Sequence, residues 1–197
     1  MSALLTAALA LAERGWPVFP CNPAADKAKG KQPLIAKGFK GASTDPDTIR
    51  TWWREHPDAL IGLSTGRDLG AFVVDLDPRE DDCETLWRRL EEHIGAELGE
   101  PVVAITQSGG WHLYFAWPDL PQGAKLGNRG GLIPHVDVRG AGGYVIALPS
   151  VMSDGRTYTW RRRADGERGL TAPPAPSLTA SSEGAPSPLS GRPRRCV

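Results

Sequence analysis

Apolar positions along this chain change period several times, and each change marks an element. Leu4, Leu5, Ala8, Leu9, Leu11 and Ala12 recur at helical spacing, and Gly15 supplies a stop. Trp16 to Phe19 predicts a strand and Pro20 to Gly41 a long loop. Thr44-Asp45-Pro46 is a strong helix start, a capping residue before proline in the first turn. Ile49, Trp52 and Trp53 give that helix an apolar stripe, and Pro57 follows its end. Leu60 to Ser64 and Ala71 to Asp77 read as strands. Over Glu80 to Leu98, Cys83, Leu86, Trp87, Leu90, Ile94 and Leu98 fall on one helical face, with Gly99 closing it.

From Val102 onward the pattern turns antiparallel. Val102–Thr106 and Trp111–Trp117 flank the turn Gln107-Ser108-Gly109-Gly110. His135–Arg139 and Tyr144–Leu148 flank Gly140-Ala141-Gly142-Gly143, and both pairs predict hairpins. Thr157 to Arg161 adds a last strand. Helices early and hairpins late predict an α+β domain, its helices packed on a mainly antiparallel sheet. Proline, serine and glycine make up 13 of the 25 residues from Pro173 to Val197. That composition predicts a domain over 1–165 and a disordered Pro/Ser-rich tail or linker stub over 166–197.

A length of 197 residues suits one domain of ordinary size. With 23 basic and 23 acidic residues, net charge argues neither for nor against nucleic acid. Distribution says more, because Lys27, Lys29, Lys31, Lys37 and Lys40 share one stretch with no acid between them. Such a loop is a candidate for nucleic-acid phosphates, with Lys29, Lys31, Lys37 and Lys40 as its contacts, or else a solvated flexible loop. Cys21, Cys83 and Cys196 are too scattered for a disulfide framework or a cysteine zinc site, which fits a reducing cytoplasm. The apolar start lacks the basic flank of a signal peptide, and no run approaches the roughly 20 residues of a membrane span.

Three segments carry polar groups that an apolar strand should not. In Val73-Val74-Asp75-Leu76-Asp77-Pro78 the two carboxylates share one face, roughly 7 Å apart at Cα, while Phe72, Val74 and Leu76 take the other. Two such carboxylates repel unless a cation lies between them, and Mg²⁺ or Mn²⁺, bound through oxygen, is the natural choice. The same string also describes a polar strand end running into a turn. In His135-Val136-Asp137-Val138-Arg139 an acid and an arginine project together. They suit a two-ion phosphoryl-transfer site, or a surface ion pair. Ser108-Gly109-Gly110-Trp111-His112 sets a serine and a histidine beside glycines that let backbone approach a phosphate, or it is an ordinary tight hairpin.

Taken in order, Asp-x-Asp, Ser-x-x-x-His and a lone strand Asp form the three-motif pattern of the archaeo-eukaryotic primase superfamily. More closely, the chain resembles the N-terminal Prim-Pol domain of bifunctional DNA primase/polymerases of phages, plasmids and integrated elements. The matching text runs from Gly15-Trp16-Pro17-Val18-Phe19-Pro20 through Lys31-Gln32-Pro33-Leu34, Gly38-Phe39-Lys40, Thr44-Asp45-Pro46 and Trp52-Trp53. It continues with Ile61-Gly62-Leu63, Thr65-Gly66, the motif segments, Gly142-Gly143-Tyr144-Val145 and Pro149-Ser150, about residues 10 to 161 in all. The resemblance implies an RRM-like sheet joined to an N-terminal α/β unit. It implies a template-directed nucleotidyltransferase acting on single-stranded DNA template, primer and NTP or dNTP. Asp75, Asp77 and Asp137 would bind two Mg²⁺ or Mn²⁺ ions; His112, Ser108 and Arg139 would contact the triphosphate. Many relatives continue into a helicase, so a separate replicative helicase is a candidate partner. Ala141 and Leu148 stand where the family pattern commonly has an acid and a proline. A non-catalytic single-strand-binding module and a metal-dependent nuclease are the competing readings.

Overall fold

The computed structural model describes residues 2–26 and 28–162, so the expected tail, 166–197, lies outside the described residues. Three α-helices and two antiparallel sheets make it α+β, as the pattern predicts. Helix α1 (Ala3–Glu13) is capped by Ser2, whose side chain accepts from the Leu5 amide. Helix α2 (Pro46–Glu55) starts at Asp45, which accepts from the Thr48 amide and hydroxyl. Helix α3 (Cys83–Ile94) is capped by Asp82 and ends on left-handed Gly95. It is therefore shorter at both ends than its apolar period suggests. Leu98 is buried beyond the helix end in the cluster with Leu86 and Leu90, and its amide donates to the Glu91 side chain.

Strands β1 (Val18–Cys21) and β2 (Leu60–Thr65) form the smaller sheet with β8 (Gly143–Ala147), in the order β1-β2-β8. The larger sheet contains β3 (Ala71–Leu76), β4 (Val102–Ile105), β5 (Trp111–Ala116), β6 (Arg129–Ile133), β7 (Val136–Arg139) and β9 (Thr159–Arg162). Its order is β6-β7-β3-β5-β4-β9. The β4–β5 hairpin forms as expected. The second expected hairpin does not: β7 pairs with β3 in one sheet and β8 with β2 in the other. Gly140–Gly142 carries the chain across instead of reversing it. Strand β6 has no counterpart in the sequence pattern, since its two glycines and irregular register hide the alternation. The first strand begins at Val18 rather than Trp16.

The larger sheet buries both faces. Phe72, Val74 and Leu76 of β3 join Leu113, Phe115, Val136 and Val138 against Leu86 and Leu90 of α3. The opposite face is divided. At one end Ala71, Val73, Val102, Ala104 and Tyr114 pack on α1, α2 and the smaller sheet. At the other end that same face carries Asp75, His112, Asp137 and Arg139. Three crossings link the sheets, β2 to β3, β7 to β8 and β8 to β9, and the first two lie side by side. Thr65 Oγ1 donates to the Gly140 carbonyl at 2.7 Å, tying one crossing to the other.

Candidate active site

Register builds the site. Asp75 lies opposite His112 of β5 on one side and opposite Asp137 of β7 on the other. Three functional groups from segments far apart in sequence thus meet on one rung of the sheet. Arg139, two residues beyond Asp137 and on the same face, reaches both acids. Its Nη2 donates to Asp75 Oδ2 at 3.1 Å and to Asp137 Oδ2 at 2.8 Å. The other oxygen of Asp137 accepts from the Gly131 amide at 2.8 Å, so the irregular β6–β7 pairing orients that carboxylate.

His112 Nε2 stands 3.6 Å from Asp75 Oδ1. Burial holds the imidazole below its ordinary pKa, outweighing the opposing pull of Asp75. The ring is therefore neutral at pH 7, and its Nδ1 is buried with no hydrogen-bond partner among the described residues.

A cavity of about 390 Å³ opens over this rung, lined by Asp75, His112 and Arg139 on one side and by Gly143–Ile146 of β8 on the other. Lys31, Phe39, Asn128 and Tyr158 complete it. Asp77 does not line it. It is exposed just past β3, in a second cavity of about 710 Å³ with Ser108, Gln107, Arg79 and Arg156. Ser108 is exposed on the hairpin tip, within 3.1 Å of the Thr106 hydroxyl. Lys31 lines both cavities. Of the loop lysines, Lys29, Lys37 and Lys40 are exposed. The structure thus gathers Asp75, His112, Asp137 and Arg139, and sets Asp77 and Ser108 alongside.

Carboxylate oxygens are the donors a hard divalent ion takes, and Asp75 and Asp137 provide them. The Arg139 guanidinium already holds a positive charge between them. Among the described residues no three His, Cys, Asp or Glu side chains are gathered closely enough to hold a metal ion. The donor chemistry fits a divalent cation, and such an ion would compete with Arg139 for the same two carboxylates.

Sequence reasoning missed Asn128, Tyr144 and Tyr158. Asn128 Nδ2 donates to the Gly142 carbonyl, and Tyr144 donates to the Lys31 carbonyl. The only signal in the sequence was the Gly142-Gly143-Tyr144 string, whose glycines suit a close approach. A Cβ on Gly143 would run into the Asn128 side chain.

No helix among the described residues is long and apolar enough to cross a membrane. In comparison with known proteins, no curated protein matches this chain. The model of one family, described as Prim-Pol, bifunctional DNA primase/polymerase, N-terminal, matches residues 8–177. That match runs through both sheets and the whole cleft, and the chain belongs to the bifunctional DNA primase/polymerase N-terminal (Prim-Pol) family.

Proposed function

We propose that this chain is a template-directed nucleotidyltransferase, a DNA primase/polymerase serving replication of a phage, plasmid or integrated element. The family itself suggests DNA primase/polymerase activity and nucleic acid and nucleotide substrates. The observation that carries the reading further is the single rung of Asp75, His112 and Asp137, bridged by Arg139, with Asp75, His112 and Arg139 lining a cleft. The six-stranded sheet backed by α3 would be the RRM-like catalytic sheet of the archaeo-eukaryotic primase fold. The three-stranded sheet with α1 and α2 would be its N-terminal α/β unit, the whole spanning about 1–165.

Asp75, Asp77 and Asp137 would hold two divalent cations, Mg²⁺ or Mn²⁺. Such ions, when bound, lower the pKa of a primer 3′-hydroxyl and offset charge on departing pyrophosphate. The chain's own groups position the reactants. Arg139 has a planar guanidinium able to hold a phosphate by two hydrogen bonds. His112, kept neutral by burial, donates a hydrogen bond to a phosphate oxygen without adding charge. Ser108 presents a hydroxyl from the hairpin tip. Because positioning and electrostatics dominate phosphoryl transfer, no covalent nucleophile is required. Lys29, Lys37 and Lys40, exposed on the basic loop, would hold template or primer phosphates, contacts that make binding salt-dependent, while half-buried Lys31 is set apart from them. A separate helicase and a cytoplasmic setting complete the proposal.

The test offers the protein primed and unprimed single-stranded templates with labelled NTPs or dNTPs and Mg²⁺ or Mn²⁺. Asp75→Ala runs beside it. Incorporation lost in the variant supports the reading, and product on unprimed template assigns initiation. Strand cleavage without synthesis would indicate a nuclease, and single-strand binding without metal-dependent chemistry a binding module.

A further inference from the structure

Lys31 differs from its neighbours in the basic loop. It is one of two non-glycine residues with positive φ among the described residues, at +65°. L-residues rarely adopt that region, and an outlier of this kind points to function when the surroundings hold it in place. Here they do. The Lys31 amide donates to the Asn22 carbonyl at 2.8 Å, and its carbonyl accepts from the Tyr144 hydroxyl at 3.1 Å. The ammonium lies 6.0 Å above the centre of the Tyr158 ring.

The charge at the end of this held side chain has no contacting counter-ion. No ion pair among the described residues includes Lys31. Burial lowers its pKa, and Asp75 and Asp77 act on it across space in the opposite sense. It forms wall in both cavities, between Arg139 and His112 on one side and Ser108, Arg79 and Arg156 on the other. A half-buried cation without a contacting counter-ion at such a junction suits an extended polyanion that crosses from one cavity to the other. A triphosphate is such a polyanion, with charge along its chain to meet Arg139 on one side and Arg79 and Arg156 on the other.

We propose that Lys31 is a nucleotide-positioning residue, its ammonium seating the phosphate chain of the incoming nucleoside triphosphate where the two cavities meet. This rests on the nucleotidyltransferase reading and adds a residue to that site. It gives Lys31 a role separate from the exposed Lys29, Lys37 and Lys40.

The experiment compares wild type, Lys31→Met, Lys31→Arg and the triple variant Lys29→Ala/Lys37→Ala/Lys40→Ala. Calorimetry measures affinity for dATP and for inorganic tripolyphosphate, with and without Mg²⁺. Fluorescence anisotropy measures affinity for a single-stranded oligonucleotide. Losing a charge-assisted contact predicts about 10- to 100-fold weaker binding of both triphosphates in Lys31→Met. KM for the nucleotide should rise more than kcat falls, oligonucleotide affinity should hold, and Lys31→Arg should recover part of the loss. The triple variant should show the reverse pattern. If Lys31→Met does not fold, Lys31→Gly removes the same charge while favouring the left-handed backbone. Unchanged triphosphate affinity in a folded charge-free variant overturns the inference alone. A folded wild type that binds neither dATP nor tripolyphosphate overturns the nucleotidyltransferase reading with it.

Discussion

Arg139→Gln tests the electrostatics of the cleft directly. One nitrogen of Arg139 reaches a carboxylate oxygen of Asp75 and one of Asp137, at 3.1 and 2.8 Å. Those two oxygens are therefore within about 6 Å of each other, and glutamine leaves them facing without a cation. At 6 Å two unit charges repel by about 3 kcal/mol at an effective dielectric of ~20, and by less than ~1 kcal/mol in bulk water. The side chains of Asp75 and Asp137 are 19% and 34% exposed, so the true value falls between those limits, about 1–2 kcal/mol. For a chain of this length that lowers the melting temperature by about 2–8 °C. The assay is thermal melting in EDTA and again in Mn²⁺ at matched ionic strength. The variant should melt lower than wild type in EDTA and gain more from Mn²⁺, because nothing competes for the two carboxylates. If binding tightens tenfold, the extra gain at saturating metal is ~1.4 kcal/mol. Equal melting in EDTA, or equal gains from Mn²⁺, would refute the view that Arg139 acts as the resident counter-cation.

Other outcomes follow from the same structure. Asp137→Asn should lower metal-dependent incorporation by about 10²-fold or more, since it removes a carboxylate from the charge-stabilising set, with circular dichroism unchanged. Gly62→Ala should destabilise by about 1–3 kcal/mol in urea unfolding, because the new methyl would press into the Phe19 ring and Cys21 Sγ. Asp45 is held below its ordinary pKa by hydrogen bonds from the Thr48 side chain and backbone, Asp82 by those from the Thr85 backbone and side chain. A depressed pKa stabilises fully above the unfolded value, about 3.9, and that stability is lost as pH falls through the folded value. The double variant Asp45→Ala/Asp82→Ala should therefore show a shallower acid limb than wild type in melting temperature against pH. Cys83, buried and with its thiol pKa pushed up to about 12, should resist alkylation at pH 8 until the protein unfolds.

Much of the site was legible because strand alternation is local. Asp75 and Asp77 on one side of β3, and Phe72, Val74 and Leu76 on the other, follow from a period of two. Which strands flank β3 does not follow. Opposition of Asp75 to both His112 and Asp137 is a long-range register, fixed by the packing of whole elements. Glycine strings are ambiguous for a related reason. Gly140 to Gly143 reads as a hairpin turn, yet here the absence of a side chain on Gly140 lets the crossing lie against the Leu126 and Gly127 carbonyls. The loop lysines look equivalent in sequence. Long-range contacts such as capture of the Lys31 carbonyl by Tyr144, 113 residues further along, separate it from the rest.

The paired crossings act as a spine. β2 to β3 and β7 to β8 pass from one sheet to the other side by side, joined by the Thr65–Gly140 hydrogen bond. A Cβ on Gly66 would stand only 3.3 Å from the Ala141 backbone, so the two crossings touch. Along β3 away from that spine come buried Ala71 and Val73, then half-buried Asp75, then exposed Asp77. The sheets are bound like two covers of a book, closed at the Ala71 edge and parted beyond Asp75. The β8 to β9 connection then returns across the gap and brings Tyr158 over His112, so the covers are tied a second time, beyond the spine. The spacing of Asp75 from Asp137 is set within one sheet and does not depend on how far the covers part.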